Sequence, residues 1–209
     1  MTEPSLPADD SLSVPAIRRV CVYCGSSSGN SPRYTETATA LGQLLSAAGI
    51  ELVYGGGRTG LMGAVADAAL ATGGRVTGVI PVGLLEREVA HRGLTELVRV
   101  GSMHERKAVM FNLADAFVIL PGGLGTLEEL TETATWSQLG MHAKPMVVVD
   151  PDGYWSGLWQ LLDRSVREGF MKEANRQILV AVSDVNEVVP ALSGYRRPQV
   201  SKWLNRDQT

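Results

Sequence analysis

The chain has 209 residues, 44% hydrophobic and 20% charged, the make-up of one globular domain with a sizeable core. A net charge of -3 argues against a nucleic-acid or membrane surface, which needs a basic stripe, so any bound phosphate has to be held locally. No apolar run approaches the roughly 18 residues of a membrane span.

The first segment, "MTEPSLPADDSLSVPA", is rich in Pro, Ser and Asp and lacks an apolar signal core. It reads as a disordered tail (1–16) on a cytoplasmic protein, ahead of a single nucleotide-binding catalytic domain (17–192) and a C-terminal tail (193–209). Strand-length apolar runs fall at 18–24, 50–54, 75–80, 95–100, 116–120, 145–149 and 178–182; several, such as "PMVVVD", are continuous, as in strands buried on both faces. Between them, Ser31 and Pro32 offer a cap and a first-turn proline for a helix ending at Gly49, and Gly73 and Gly74 close a helix opening at Gly60. Alternating strands and helices predict an α/β fold: a doubly wound, Rossmann-like parallel sheet of about seven strands flanked by helices, with ligands at the strand C-termini.

Cys21 and Cys24 are spaced C-x-x-C, but on a strand positions i and i+3 face opposite ways, so they read as packed thiols rather than a redox or zinc pair. His91, His104 and His142 show no ligand spacing, and no metal site is expected.

Three strand ends carry unusual chemistry. In "CGSSSGN", Gly25 and Ser26 offer backbone N–H groups and a hydroxyl to an anion, although an ordinary loop looks the same. In "VYGGGRTGLMG", Gly55, Gly56 and Gly57 precede Gly60 in a G-x-G-x-x-G match. A dinucleotide fingerprint also needs an acidic residue at the end of the next strand, and here that strand ends in Pro81. The turn therefore binds another phosphate or is glycine-rich for steric reasons. The third is "FVILPGGLGTLEELTE", a buried strand, a glycine turn suited to a phosphate, and then Glu128, Glu129 and Glu132. With the helix starting after Gly125, Leu127, Leu130 and Ala134 form its apolar stripe and the carboxylates face away from the core. A first-turn carboxylate is held ionised by the helix dipole. Glu129 then suits a reaction that develops positive charge beside a bound phosphate, such as cleavage of a ribosyl bond through an oxocarbenium-like transition state. The alternative is that these glutamates only support the helix, which fits Glu128 and Glu132 best.

In "GSMHERKAVMFNLADA", Arg106 and Lys107 begin a helix, where the dipole disfavours cations, with Met110, Phe111 and Ala114 on its apolar face. Arg106 offers a planar fork and Lys107 a point charge for phosphate; solvated surface cations are the plain alternative.

"PGGLGTLEE" following "MHERK", with "GGGRTGLMG" upstream, resembles the Lonely Guy family of cytokinin-activating nucleoside 5'-monophosphate phosphoribohydrolases, whose members have often been labelled lysine decarboxylases. The resemblance spans roughly residues 17–192. It implies catalytic roles for Arg106 and Glu129, and nucleotide contacts from Glu88, Lys107, Gly123, Leu124, Gly125, Thr126, Leu127, Glu128 and Thr135. It also implies hydrolysis of AMP or an N6-modified AMP without a cofactor, by a homodimer. Ser102 stands where many relatives have aspartate, and serine caps a helix as well. Trp136, on the carboxylate side of its helix, points to assembly or to a covered indole. Pyridoxal phosphate chemistry needs a Schiff-base lysine, and among Lys107, Lys144, Lys172 and Lys202 only Lys107 is near the expected site. A non-catalytic nucleotide carrier or sensor is the alternative reading, and a dinucleotide-dependent oxidoreductase is opposed by Pro81.

Overall fold

β-Branched runs such as "MVVV" (146–149) have no polar face to offer water, so they become strands covered on both sides; all four residues there are buried. The computed structural model describes residues 17–84 and 90–198. Seven parallel strands, β1 (Arg19–Tyr23), β2 (Glu51–Tyr54), β3 (Val76–Pro81), β4 (Glu96–Val100), β5 (Ala116–Ile119), β6 (Met146–Val149) and β7 (Leu179–Val182), form one sheet in the order β4-β3-β2-β1-β5-β6-β7. Each lies within one residue of the segment expected from hydrophobic patterning. The edge strands β4 and β7 are the ones with several partly exposed residues.

Among the described residues, seven helices flank the sheet: α1 (Pro32–Ala47), α2 (Gly60–Ala71), α3 (Met103–Leu113), α4 (Leu124–Gln138), α5 (Ser156–Arg167), α6 (Glu173–Arg176) and α7 (Val188–Gly194). Leu41 and Leu45 of α1, Val65 of α2 and Val188 of α7 pack on Val20, Val22, Leu52 and Val118, while Met110 of α3 and Leu130 of α4 pack on Cys21, Phe117 and Met146 from the other side. Each of these buried side chains stabilises the fold by about 1.5–3 kcal/mol relative to exposure. Cys21 and Cys24 are free and buried in opposite cores, as the strand alternation requires. The two helices α1 and α2 meet at Gly42, where a Cβ would come within 2.3 Å of the Val65 carbonyl oxygen, so any side chain there would push them apart.

Local signals act where the sequence places them at the start of the chain. Ser31 accepts a hydrogen bond from the Arg33 N–H and Pro32 occupies the first turn of α1, while Gly49, at φ 68°, ends it. Ser102 caps α3 by accepting from the Glu105 N–H at 3.1 Å, and Glu105 in return accepts from the Gly101 N–H at 2.7 Å.

Two expectations change, and of the two readings of Trp136 the covered indole is the one observed. The helix expected after Gly125 begins at Leu124, with Gly123 as its N-cap, because Gly125 is taken into the first turn; Glu128 and Glu129 therefore stand in the second turn, beyond the strong reach of the dipole. Trp136 is not a lone exposed indole: it is half-buried, edge-on to Phe111 of α3 at 4.9 Å. The chain also stays packed past 192, since α7 runs to Gly194, Tyr195 is buried and Arg197 donates to the Ser137 carbonyl. Among the described residues, no helix is long and apolar enough to cross a membrane.

The order of strands fixes where a ligand can lie. From β1 to β4 the sheet grows in one direction; α3 then carries the chain back, and β5 pairs with the other side of β1. The loops after β1 and β5 leave the sheet at this reversal, the position where open parallel sheets form a crevice.

Candidate active site

The two loops at the reversal are stitched backbone to backbone. Leu120 N–H donates to the Tyr23 carbonyl at 2.9 Å and Gly25 N–H to the Pro121 carbonyl at 3.0 Å. A Cβ on Gly25 would lie 3.3 Å from Gly122 Cα, and one on Gly122 would lie 2.9 Å from the Gly25 nitrogen. Glycine is required at Gly122, and Gly25 has little room for more. The Gly25 carbonyl turns the other way and accepts from the Leu61 and Met62 N–H groups at 3.1 and 3.3 Å. The donors at the start of α2 are thus occupied by protein, and Gly60, at φ 61°, sits so close that a Cβ would meet the Ser26 carbonyl carbon at 2.3 Å. The steric reading of "GGGRTG" is the one the geometry follows: this turn buttresses the first loop.

The start of α4 differs. Its N-cap is glycine with no side-chain cap, and the Leu127 N–H bonds the Gly123 carbonyl at 3.0 Å. The N–H groups of Leu124, Gly125 and Thr126 belong to the first turn, where helix geometry supplies no intrahelical partner and the dipole favours an anion. A Cβ on Gly123 or Gly125 would meet no protein atom within 4 Å, so these glycines keep the helix end uncovered rather than serve packing. Gly122 has the opposite reason: a Cβ there would collide with Thr126 Oγ1 at 2.1 Å.

A cavity of about 310 Å³ opens on this helix end, lined by Gly25, Ser26, Gly55, Arg106, Gly123–Thr126, Glu128 and Glu129, with Met62, Met103, Met110, Val22 and Cys24 as its apolar wall. Arg106 is 6% exposed; its Nε donates to the Val79 carbonyl at 3.1 Å and one terminal nitrogen to the Gly55 carbonyl at 2.7 Å. A Cβ on Gly55 would strike that guanidinium at 1.9 Å, so the glycine makes room for the arginine. The cation is fixed by backbone, not free to search for a partner.

The crowd of carboxylates divides into two roles. Glu128 and Glu132, one helical turn apart, both hold the Lys107 ammonium, Glu132 at 3.0 Å. Burial works to lower the Lys107 pKa, but the hydrogen bonds and charges of the two glutamates outweigh it and the pKa is raised, so the lysine stays charged. Glu129 is half-buried and faces the cavity below the end of β1. Burial, with the Glu129 charge adding to it, pushes the Cys21 and Cys24 thiols far above their ordinary range and keeps them neutral.

Sequence reasoning placed Arg106, Glu129, Gly25, Ser26, Gly55, Gly123, Leu124, Gly125, Thr126 and Glu128 at the site, and all of them line this one cavity. Five others do not line it. Lys107 stands behind Glu128; Leu127 packs on the core; Thr135 donates to the Thr131 carbonyl beside a separate groove against α5. Gly56 and Gly57 are engaged by the next segment, through the His91 N–H and a bridge to Ala90. Glu88 lies outside the described residues. The methionine wall carries no signal of its own in the sequence, although Met62 lies in "GGGRTGLMG" and Met103 and Met110 lie in "GSMHERKAVMFNLADA". Among the described residues no group of three or more His, Cys, Asp or Glu is placed to hold a metal ion. A larger hollow, about 720 Å³, lies at the opposite ends of the strands, but its charges serve each other: Glu51 pairs with Arg19 and Arg75, and Asp115 accepts from the Arg18 and Arg19 N–H groups.

Residues 62–192 match the family described as "Possible lysine decarboxylase". A probable cytokinin riboside 5'-monophosphate phosphoribohydrolase of Oryza sativa subsp. japonica is 49% identical over 178 residues, 85% of this chain and 78% of that protein. A cytokinin riboside 5'-monophosphate phosphoribohydrolase of Arabidopsis thaliana is 48% identical over 178 residues, 85% and 82% of the two chains. The chain belongs to the cytokinin riboside 5'-monophosphate phosphoribohydrolase family. The fold of this phosphoribohydrolase relative recurs in more distant proteins. A molybdenum cofactor binding protein from Rippkaea orientalis aligns with a TM-score of 0.62 at 19% identity, over 82% of this chain and 93% of that one. The molybdenum cofactor carrier protein of Chlamydomonas reinhardtii aligns with a TM-score of 0.63 at 18% identity, over 83% and 94%.

The paired carboxylates generate a first prediction. Without Lys107, Glu128 and Glu132 face an anion uncompensated; two unit charges about 8 Å apart at an effective dielectric of about 20 repel by about 2 kcal/mol. Lys107→Met should weaken inorganic phosphate binding about thirtyfold in titration calorimetry, and adding Glu128→Gln should recover part of the loss. Unchanged affinity in the single variant would show that the lysine does not neutralise this edge.

Proposed function

We propose that the protein hydrolyses the N-glycosidic bond of purine nucleoside 5'-monophosphates, AMP or N6-modified AMP, to the free base and ribose 5-phosphate. The observation that carries this is the meeting of Glu129 and Arg106 with the open end of α4 in one cavity, in a family whose relatives are named for this reaction. The 5'-phosphate sits on the N–H groups of Gly125 and Thr126. The C1'–N9 bond breaks with its electron pair leaving on the base, and the cation that develops on the ribose is stabilised by the Glu129 carboxylate. Water attacks C1', and its proton balances the charge of the departing base. Arg106, held by the Gly55 and Val79 carbonyls, supplies a fixed positive charge. The sulfur-rich wall of Met62, Met103 and Met110 suits the face of a purine.

A decarboxylase using a Schiff-base lysine fits poorly. Lys107 is kept charged by two glutamates, whereas imine formation needs the neutral amine. Lys144 is spent on the Phe111 carbonyl at 2.6 Å. A carrier role rests on likeness of fold to proteins under 20% identical, which speaks to architecture only.

The decisive assay is chromatography after incubation with AMP or isopentenyl-AMP: adenine or the modified base should appear with ribose 5-phosphate, and adenosine should be a very poor substrate, since the phosphate's binding energy positions the bond. Glu129→Gln should lower kcat by about 10²–10³ with KM nearly unchanged. Retention of more than half the kcat would leave Glu129 without a catalytic role.

The protein acts as a homodimer in the cytoplasm. Phe170 is 89% and Leu161 61% exposed, large apolar side chains that a second copy of the chain would cover. Light scattering at micromolar concentration should give twice the 22.4 kDa chain mass; the mass of a single chain would remove the assembly.

A further inference from the structure

Tyr154 belongs to neither glycine loop, yet it reaches the second directly and backs the first through Tyr34. It follows the turn Pro151–Gly153 after β6, where Asp152 takes φ 55°, a left-handed conformation unusual for a residue with a side chain. Asp150 fixes the far side of that turn by accepting from the Trp155 N–H at 2.8 Å and from Trp159 Nε1 at 2.9 Å. So held, the Tyr154 ring lies edge-on to Tyr34 at 5.5 Å and to Trp155 at 4.9 Å. Tyr34 in turn backs Gly29, where a Cβ would meet its ring at 2.7 Å, so the aromatic pair braces the first loop. The Tyr154 hydroxyl reaches across and donates to the Gly122 carbonyl at 2.7 Å.

That hydrogen bond has a directional consequence. Gly122 and Gly123 are linked by a trans peptide, in which the C=O and N–H point in opposite directions. Between two glycines, no side chain restrains the plane from rotating. With its oxygen held on the Tyr154 side, the Gly122–Gly123 peptide has to present the Gly123 N–H away from Tyr154, beside the open start of α4. Donation to the carbonyl also polarises the same peptide and strengthens its N–H as a donor.

We infer that Tyr154 is a positioning residue whose hydroxyl latches the Gly122–Gly123 peptide so that the Gly123 N–H joins the phosphate-binding donors at the α4 terminus. This rests on the phosphoribohydrolase reading, in which the substrate's 5'-phosphate binds there.

The test is Tyr154→Phe, which removes one oxygen from a 40% exposed residue and keeps the ring contacts. In titration calorimetry the affinity for ribose 5-phosphate should fall about three- to tenfold, the range one hydrogen bond commands. Adenine affinity should be unchanged, and KM for AMP should rise with ribose 5-phosphate while kcat moves less. The Gly123 amide cross-peak should shift both in the variant and on adding ribose 5-phosphate to the wild type. Equal weakening toward adenine and ribose 5-phosphate would mean general loosening and overturn the latch, as would wild-type affinity for ribose 5-phosphate in Tyr154→Phe. A wild-type protein that binds no ribose 5-phosphate would overturn the functional reading and the latch with it.

Discussion

The close approach of Gly25 to Gly122 is the constraint on which the site depends. Where the winding of the sheet reverses, β1 and β5 are neighbours, and the chains leaving them stay paired for one more step through the Gly25 N–H and the Pro121 carbonyl. A side chain at Gly122 would force the backbones apart, and one at Gly25 would require its neighbours to yield by a few tenths of an ångström. Because they stay together, the Gly25 carbonyl can seat the start of α2, and α4 can begin immediately after Gly123 with its first N–H groups uncovered. Two helix ends of similar sequence character thus have different fates: one is capped by protein and one is left for an anion.

Charge is then arranged around the open end in layers. An anion site beside Glu128, Glu129 and Glu132 looks self-defeating until Lys107 is placed. It holds Glu128 and Glu132, while Glu129 lines the cavity. Arg106 is held from the sheet side by carbonyls of β3 and of the turn after β2. Fixing charges before the substrate arrives avoids reorganisation during the reaction, the condition under which electrostatic stabilisation is largest.

Much of this was legible in the sequence. The seven strands were readable because burial on both faces leaves nearly unbroken apolar runs, and Ser31, Ser102, Gly49 and Gly73 act locally. What could not be read depends on partners far along the chain. The turn at Gly55–Gly60 carries the letters of a phosphate loop, but its helix donors are claimed by Gly25, which only the folded sheet brings there. The start of α4 was misjudged because glycine carries no helix signal, and that moved Glu129 out of the first turn. Lys107 reads as a phosphate ligand until Glu128 and Glu132, 21 and 25 residues away, are seen to hold it. Tyr154 gave no signal at all, standing 32 residues beyond the carbonyl it reaches.

The most direct measurement is a crystal structure of the protein with ribose 5-phosphate bound. The phosphate should lie within about 3 Å of the N–H groups of Gly125 and Thr126, with C1' turned toward Glu129. A phosphate seated elsewhere, whether against Arg18, Arg19 and Arg75 at the opposite ends of the strands or on the start of α2, would contradict the account.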